Sequence, residues 1–256
     1  MKINYPSCLK LSYFQLLPLL LVAVVVTSFS PQRPGRVLVF SKTAGYYHES
    51  IVAGIAAIQK LGKQHHFVVD TTKDSTRFNS QNLKQYSAVI FLNTTGNVLN
   101  SDQQDAFEKY IKSGGGFVGV HAATDTEYDW PWYGKLVGAY FDGHPGNPNV
   151  RKGTFYVADK NHLATDSIPS PWEREDEFYS FKQINPDIKV LIKIDEKSYG
   201  GGKNGDNHPM SWYHEYSGGL AFYTNMGHTK ETYSDPLFLK HLWGGMQYAM
   251  GGKKSK

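Results

Sequence analysis

Four apolar runs of strand length, separated by helix-like segments, constrain this chain more than any other feature. They are RVLVFS (36–41), HFVVDTTKD (66–74), SAVIFLNTTG (87–96) and FVGVHA (117–122). The first is unalternated, which suits a strand covered on both faces, and the third reads likewise as buried. IVAGIAAIQKLG (51–62) spaces its apolar residues as a helix does, behind a candidate cap at Ser50. Residues 80–86 read as a short helix. SDQQDAFEKYIKSGGG (101–116) reads as a helix that opens on a capping box of Ser101 with Gln104 and closes on glycines. Strand–helix alternation with short connections predicts an α/β fold, an open parallel sheet with helices on both faces.

In such a sheet ligands bind beyond the carboxyl ends of the strands. The loops 42–50, 93–100 and 121–130 fall there and bring His48, Glu49, Asn93, Thr94, Thr95, His121, Asp125 and Glu127 to one rim. The second half changes character. NVRKGTFYVAD (149–159), REDEFYSFK (174–182), IKVLIKID (188–195), PMSWYHEY (209–216) and GLAFYTNMG (219–227) read as strands, antiparallel additions that extend the sheet or lie beside it. SDPLFLKHLWGGMQYAM (234–250) is a final amphipathic helix with Ser234 or Asp235 as its cap. No internal repeat or linker interrupts this stretch, so residues 36–250 are expected to form a single domain.

The N-terminus reads as a leader. Lys2 and Lys10 precede LLPLLLVAVVV (16–26) and the small residues TSFS (27–30), the order of a secretory signal peptide over 1–28. An uncleaved anchor is the alternative, although the apolar core is short for a membrane span. A linker over 29–35 and a basic tail over 251–256 complete the expected organisation. Export to the periplasm or the exterior follows, with no membrane association after cleavage. Cys8, the only cysteine, lies within the leader, so the mature chain has neither a disulfide nor a thiolate nucleophile. The net charge is +4 and the basic residues are scattered, which leaves no footprint for nucleic acid. Aromatic residues make up 14%, including 17 Tyr, a composition suited to sugar contacts and one that leaves a homodimer open.

The candidate chemistry lies with the 10 histidines and the carboxylates near them. Imidazole transfers protons near neutral pH and is the commonest metal ligand. His48-Glu49 follows the first strand. His121 follows the fourth, with Asp125 and Glu127 close behind. Asp176 and Glu177 share a strand segment with Tyr179. His208, Trp212 and His214 form another group, and His228 follows Gly227. His65 and His66 read as surface residues, His162 and His241 as structural ones, and His144 as a less promising loop residue. No HExxH pair and no cysteine ligand is present, so a metal would need ligands from distant loops. Trp130 and Trp132 either pack over the sheet edge or wall a pocket, and GGGKNGDNH (200–208) is a lid or a long turn.

VLVFSKTAGYYHESI (37–51), FLNTTGNVL (91–99), GGGFVGVHAATDTEYDWPWYGKLVGAYF (114–141), HPMSWYHE (208–215) and YTNMGHT (223–229) together resemble the ThuA-like, trehalose-utilisation family, from about Arg36 to about Met250. That family is similar in fold to class I glutamine amidotransferases, so the resemblance implies a flavodoxin-like sheet. Where those enzymes carry a cysteine nucleophile at the corner after the fourth strand, this chain has His121 in GVHAATD, which excludes glutaminase chemistry. The resemblance implies a sugar or 3-keto-sugar substrate. We therefore expect acid/base chemistry by His121 with His48, Glu49 or Asp125. Asn93, Thr94, Glu127, Trp130, Glu177, His208, Trp212 and His228 are the expected substrate contacts. No cofactor is expected, with a divalent metal left open. The alternatives are a carbohydrate-binding protein without turnover and a metal-assisted hydrolase.

Overall fold

The computed structural model describes residues 1–3 and 35–252. The leader over 1–28, the connection 29–35 and the basic tail over 251–256 fall outside the described residues except at their ends. Among the described residues no helix is long and apolar enough to cross a membrane.

The first half alternates as the sequence predicts. β1 (Arg36–Phe40), β2 (Val68–Thr72), β3 (Ala88–Leu92) and β4 (Gly116–Val120) are linked through α1 (Ile51–Gln64), α2 (Ser80–Leu83) and α3 (Ser101–Lys112). After β4 come α4 (Pro131–Val137), β5 (Tyr140–Phe141), β6 (Val150–Val157), β7 (Trp172–Glu177), β8 (Phe181–Lys182), β9 (Lys189–Asp195), β10 (Pro209–Tyr216), β11 (Gly219–Thr224) and α5 (Pro236–Ala249). Nine strands form one sheet in the order β2-β1-β3-β4-β11-β10-β9-β6-β7, and β5 pairs with β8 in a separate ribbon. Crossing from β1 to β2 on one side and to β3 and β4 on the other gives the flavodoxin-like order, with its switch point between β1 and β3. Every residue of β3 and β4 is buried, whereas β2, at the edge, is only partly covered. That difference is why the central strands read as continuous apolar runs; each fully buried Val, Leu, Ile or Phe contributes roughly 1.5–3 kcal/mol.

Several local expectations need correction. β11 is not an antiparallel addition to β4: it runs parallel to it, Ala221 opposite Phe117 and Thr224 opposite Val120, and is the fifth parallel strand. The antiparallel part begins at β10, joined to β11 by the two-residue turn Ser217-Gly218 with both residues at positive φ, the geometry that matches strand twist. The capping box at α3 is Asn100 with Gln103, one residue earlier than Ser101 with Gln104. Ser50 makes no side-chain cap at α1; its hydroxyl donates instead to the carbonyl of Gly227 at 2.9 Å. α5 is capped by Asp235, which accepts from the Leu237 amide at 2.8 Å. The predicted strand 174–182 is two, β7 and β8, and YDWPWYG contains the first turn of α4.

Candidate functional site

β4 ends in a corner that fixes His121. This residue has φ 48°, in the left-handed region, where a non-glycine backbone costs about 1–3 kcal/mol and persists only if its surroundings over-determine it. They do so here. The Tyr223 hydroxyl donates to the His121 carbonyl at 2.8 Å, and Nδ1 of the ring lies 2.6 Å from the carbonyl of Asn225. The side chain is fully buried, with Nε2 turned toward Glu177 and His228.

Three further segments converge on it. His48 ends the loop after β1; its carbonyl accepts from the Ile51 amide, and its ring stands edge-on to His121 and His228 with centroids 4.9 and 5.2 Å away. His228 follows β11 and Gly227, whose φ of 128° and closeness to the Tyr233 hydroxyl leave no room for a side chain. The amides of Gly227 and His228 both donate to the buried carboxylate of Asp176, at 3.0 and 3.1 Å. Asp176 also accepts from the Thr232 hydroxyl at 2.8 Å and the Arg174 guanidinium at 3.3 Å. Glu177 comes from the end of β7, the outermost strand in the order, so the sheet curls back until its far edge meets the loop after β11. Its Oε2 lies 3.3 Å from His121 Nε2 and 3.0 Å from His228 Nδ1, and those two nitrogens are 3.3 Å apart. Its Oε1 accepts from the Asn149 amide and faces His144 Nε2 at 3.5 Å. One donor atom from each of His48, His121, Glu177 and His228 lies within 4.8 Å of all the others, a set that could hold a metal ion.

Burial alone would push the Glu177 carboxyl up, but the bonds and charges of His121 and His228 outweigh it and hold this carboxyl well below the usual range. Burial, and then the neighbouring His121 and His228, push His48 down to about 2. Burial works against the charged form of His228 as well, yet its bond to Glu177 and the charge there raise it. The Asp125 carboxyl is raised, chiefly by burial.

A cavity of about 300 Å³ opens over this cluster, lined by Tyr46, His48, Asp125, Phe141, His144, Asn149, Glu177, Tyr179 and His228. An adjoining cleft of about 360 Å³ shares Tyr46, His48 and His228 and adds Glu49 and Lys230. A larger hollow of about 700 Å³ lies elsewhere, against Trp243 between α1 and α5, and contains none of the cluster.

The other expected residues divide clearly. Asp125 is on the cavity wall, bonded to the Tyr128 hydroxyl at 2.7 Å. Glu49 is exposed and pairs with Lys230 at 2.7 Å. Asn93 lies behind the wall, donating to the Ser50 hydroxyl at 2.9 Å and to the Gly227 carbonyl at 3.3 Å, so it ties the loops of His48 and His228 together. Thr94 is buried against Thr126 at 2.9 Å. Glu127 does not face the cavity; its Oε1 accepts from the amides of Val98 and Leu99 and its Oε2 from Gln104, because that loop needs an acceptor for its turned-in amides. Trp130 packs beside Trp132 and Tyr133, away from the cavity, and Trp212 is buried in the core against Tyr223 with its indole N–H on the Val137 carbonyl at 2.8 Å. Both are core aromatics rather than sugar platforms. His208 is buried too, with Nε2 2.7 Å from the Tyr179 carbonyl and Nδ1 2.7 Å from Glu196, so it anchors the backbone beneath the cavity. Sequence reasoning passed over Tyr46, Phe141, Asn149 and Asn225. Only Asn225 carried a signal, its place immediately after a strand that ends at the rim.

The strand order and the histidine–carboxylate cluster at its carboxyl ends define a flavodoxin-like α/β protein with a polar site in place of a thiol elbow. The family model for trehalose utilisation, ThuA, matches residues 36–249, and the chain belongs to that family. Among solved structures it is similar to a ThuA-like protein from Bacteroides uniformis, at 25% identity and a TM-score of 0.73, over 89% of this chain and 96% of that one. A ThuA-like protein from Parabacteroides merdae aligns at 20% identity and a TM-score of 0.68, over 87% and 92% of the two chains. A β-galactosidase from Bacillus circulans shares the fold alone, at 12% identity and a TM-score of 0.54, over 86% of this chain and 31% of that one. Comparison with curated proteins gives no match.

Proposed function

We propose that the chain acts on a sugar or 3-keto-glycoside held in the cavity above the cluster, by proton transfer among imidazole and carboxylate groups. The observation that carries this reading is the meeting of His48, Glu177 and His228 on the cavity floor with Asp125 on its wall. A volume of about 300 Å³ suits a small ligand, and the rings of Tyr46, Phe141 and Tyr179 offer apolar faces to the C–H side of a pyranose. The family's association with trehalose utilisation points to the same substrate class.

A ketone at C3 acidifies the C2–H bond. A base on the floor takes that proton and the electron pair enters the enolate. As the enolate collapses, the C1=C2 double bond forms, the C1–O bond breaks, and an acid on the wall protonates the departing oxygen. The glycoside thereby yields an alcohol and an unsaturated keto-sugar without redox change. His121 does not line the cavity, so in this scheme it is a positioning residue that acts through Glu177 and His228. The leader-like order of residues 1–28 supports export, and with it a reaction in the periplasm or outside the cell.

The test is mass spectrometry of the purified protein with disaccharides, glycosides and their 3-keto derivatives. Loss of a keto-sugar with appearance of the two fragments is expected, and an untouched panel, with and without added divalent metal, sinks the reading. The aromatic walls favour one alternative, carbohydrate binding without turnover. It would appear as a thermal shift with a sugar and no product after long incubation.

A further inference from the structure

The donor atoms beneath the cavity outnumber the protons available to join them. His121 Nδ1 faces a carbonyl oxygen at 2.6 Å and must carry its hydrogen there, which leaves Nε2 of the neutral ring as a lone pair. His228 Nε2 lies 3.4 Å from the Asn149 side-chain nitrogen, longer than a good hydrogen bond, so the ring's single hydrogen can sit on Nε2 and leave Nδ1 a lone pair. At most one proton then serves three atoms, His121 Nε2, His228 Nδ1 and Glu177 Oε2, that stand 3.0–3.3 Å from one another. His48 adds a buried Nδ1 with no hydrogen-bond partner. Moreover His121 is fully buried and stands outside the cavity lining, so its lone pair cannot reach a substrate directly; it can reach a small ion held by all four groups.

The spacing fits such an ion. Ligands at about 2.0–2.2 Å in tetrahedral array lie about 3.3–3.6 Å from one another. Three of the four donors are already near that spacing, and His48 closes the set within 4.8 Å. Three of the four are also held from behind, as metal ligands are: His121 by the Asn225 carbonyl, Glu177 by Asn149, and His228 through its backbone amide by Asp176. We infer that His48, His121, His228 and Glu177 bind one divalent first-row transition-metal ion of the zinc class at the floor of the cavity. Three imidazoles and one carboxylate favour such an ion over magnesium or calcium, which take oxygen ligands. His48, Glu177 and His228 line the cavity, so the ion would lie at its floor, and with four protein ligands in place a substrate oxygen would enter only as a fifth.

The inference shares its residues with the proposed reaction: an ion bound here engages the lone pairs of His48, His228 and Glu177, and Asp125 would be the free base that remains on the cavity wall. The experiment is titration of the untagged full chain, stripped with chelator, first with Zn²⁺ and then with Co²⁺ while visible absorption is followed. One Zn²⁺ per chain and the intense bands of four- or five-coordinate cobalt are expected. Glu177→Gln and His228→Ala should each weaken Zn²⁺ binding by about 100-fold or more with unchanged circular dichroism; if either fails to fold, His48→Ala, in a loop, serves instead. Binding of Zn²⁺ no tighter than in these variants, a cobalt spectrum that stays six-coordinate, or displacement of zinc by millimolar Mg²⁺ overturns the inference. A chain that holds zinc yet consumes no sugar keeps the site and loses the proposed reaction. Turnover by a chain that binds no metal does the reverse.

Discussion

His121 at the carboxyl-end rim and His241 on the buried face of α5 share their burial and their anchor. Both are fully buried, and both place Nδ1 against a backbone carbonyl, Asn225 at 2.6 Å and Ala164 at 2.8 Å. Their second nitrogens differ. Nε2 of His121 meets a carboxylate and another imidazole, whereas Nε2 of His241 meets no polar partner and its ring lies beside Phe222. Burial therefore holds His241 neutral, pushed down to about 3, as a packing residue with one polar tether. Around His121 the same burial, with a carboxylate brought in by Glu177, makes a polar cluster. What an imidazole does here is decided by the groups that face its free nitrogen.

The contrast breaks most sharply at the rim. Glu177→Gln and His121→Asn, the latter chosen because Asn tolerates positive φ, should lower kcat/KM on the sugar found by the screen by about 10²–10⁴-fold. His241→Leu should leave it within about twofold, since that residue touches nothing at the rim. Equal losses at both positions would mean that the two regions differ only in packing. Asp176→Asn sharpens the comparison by acting behind the cluster. With the His228 loop less firmly held, activity should fall by about 10–100-fold, while His228→Ala adds little further loss in the Asp176→Asn background.

The flank has its own signature in pH. The folded pKa of His241 lies below its ordinary 6.5, so the unfolded chain takes up a proton first as pH falls. Its contribution to stability is complete above about pH 6.5 and is lost toward pH 3, at about 1.4 kcal/mol per pH unit for one proton. His48 is shifted in the same direction and adds to the slope. Denaturant unfolding at several pH values should show a shallower loss for His241→Leu than for the parent chain; identical slopes would deny the flank its buried neutral imidazole. The smallest effect is expected at Glu49. Its pair with Lys230 is exposed, and Glu49→Gln should change neither melting temperature nor turnover measurably.

Much of the scaffold was legible because central parallel strands must be apolar on both faces, and β1, β3 and β4 announce themselves so. The direction of β11 was not, because GLAFYTNMG alternates no differently whether its neighbour runs with it or against it. The capping box at α3 slipped by one residue because NSDQQ satisfies the motif in two registers, and only the backbone turn selects Asn100 with Gln103. In the site, His48, His121, Glu177 and His228 were all recognisable as candidates by type and by position at strand ends. Trp130 and Trp212 were misplaced because an indole that walls a pocket and an indole that fills a core have the same local sequence.

The amino-acid sequence by itself determined the alternating α/β scaffold, the rim at the carboxyl ends of its strands, and the replacement of a thiol by imidazole at the corner after β4. These follow from local periodicity and from side-chain chemistry, which each segment carries alone. Only the tertiary structure decided that Glu177, from the outermost strand, joins three histidines from loops that follow β1, β4 and β11, and that Trp212 turns into the core. Such meetings depend on the curl of the sheet and on which side of each strand faces the cavity, and no single segment encodes either.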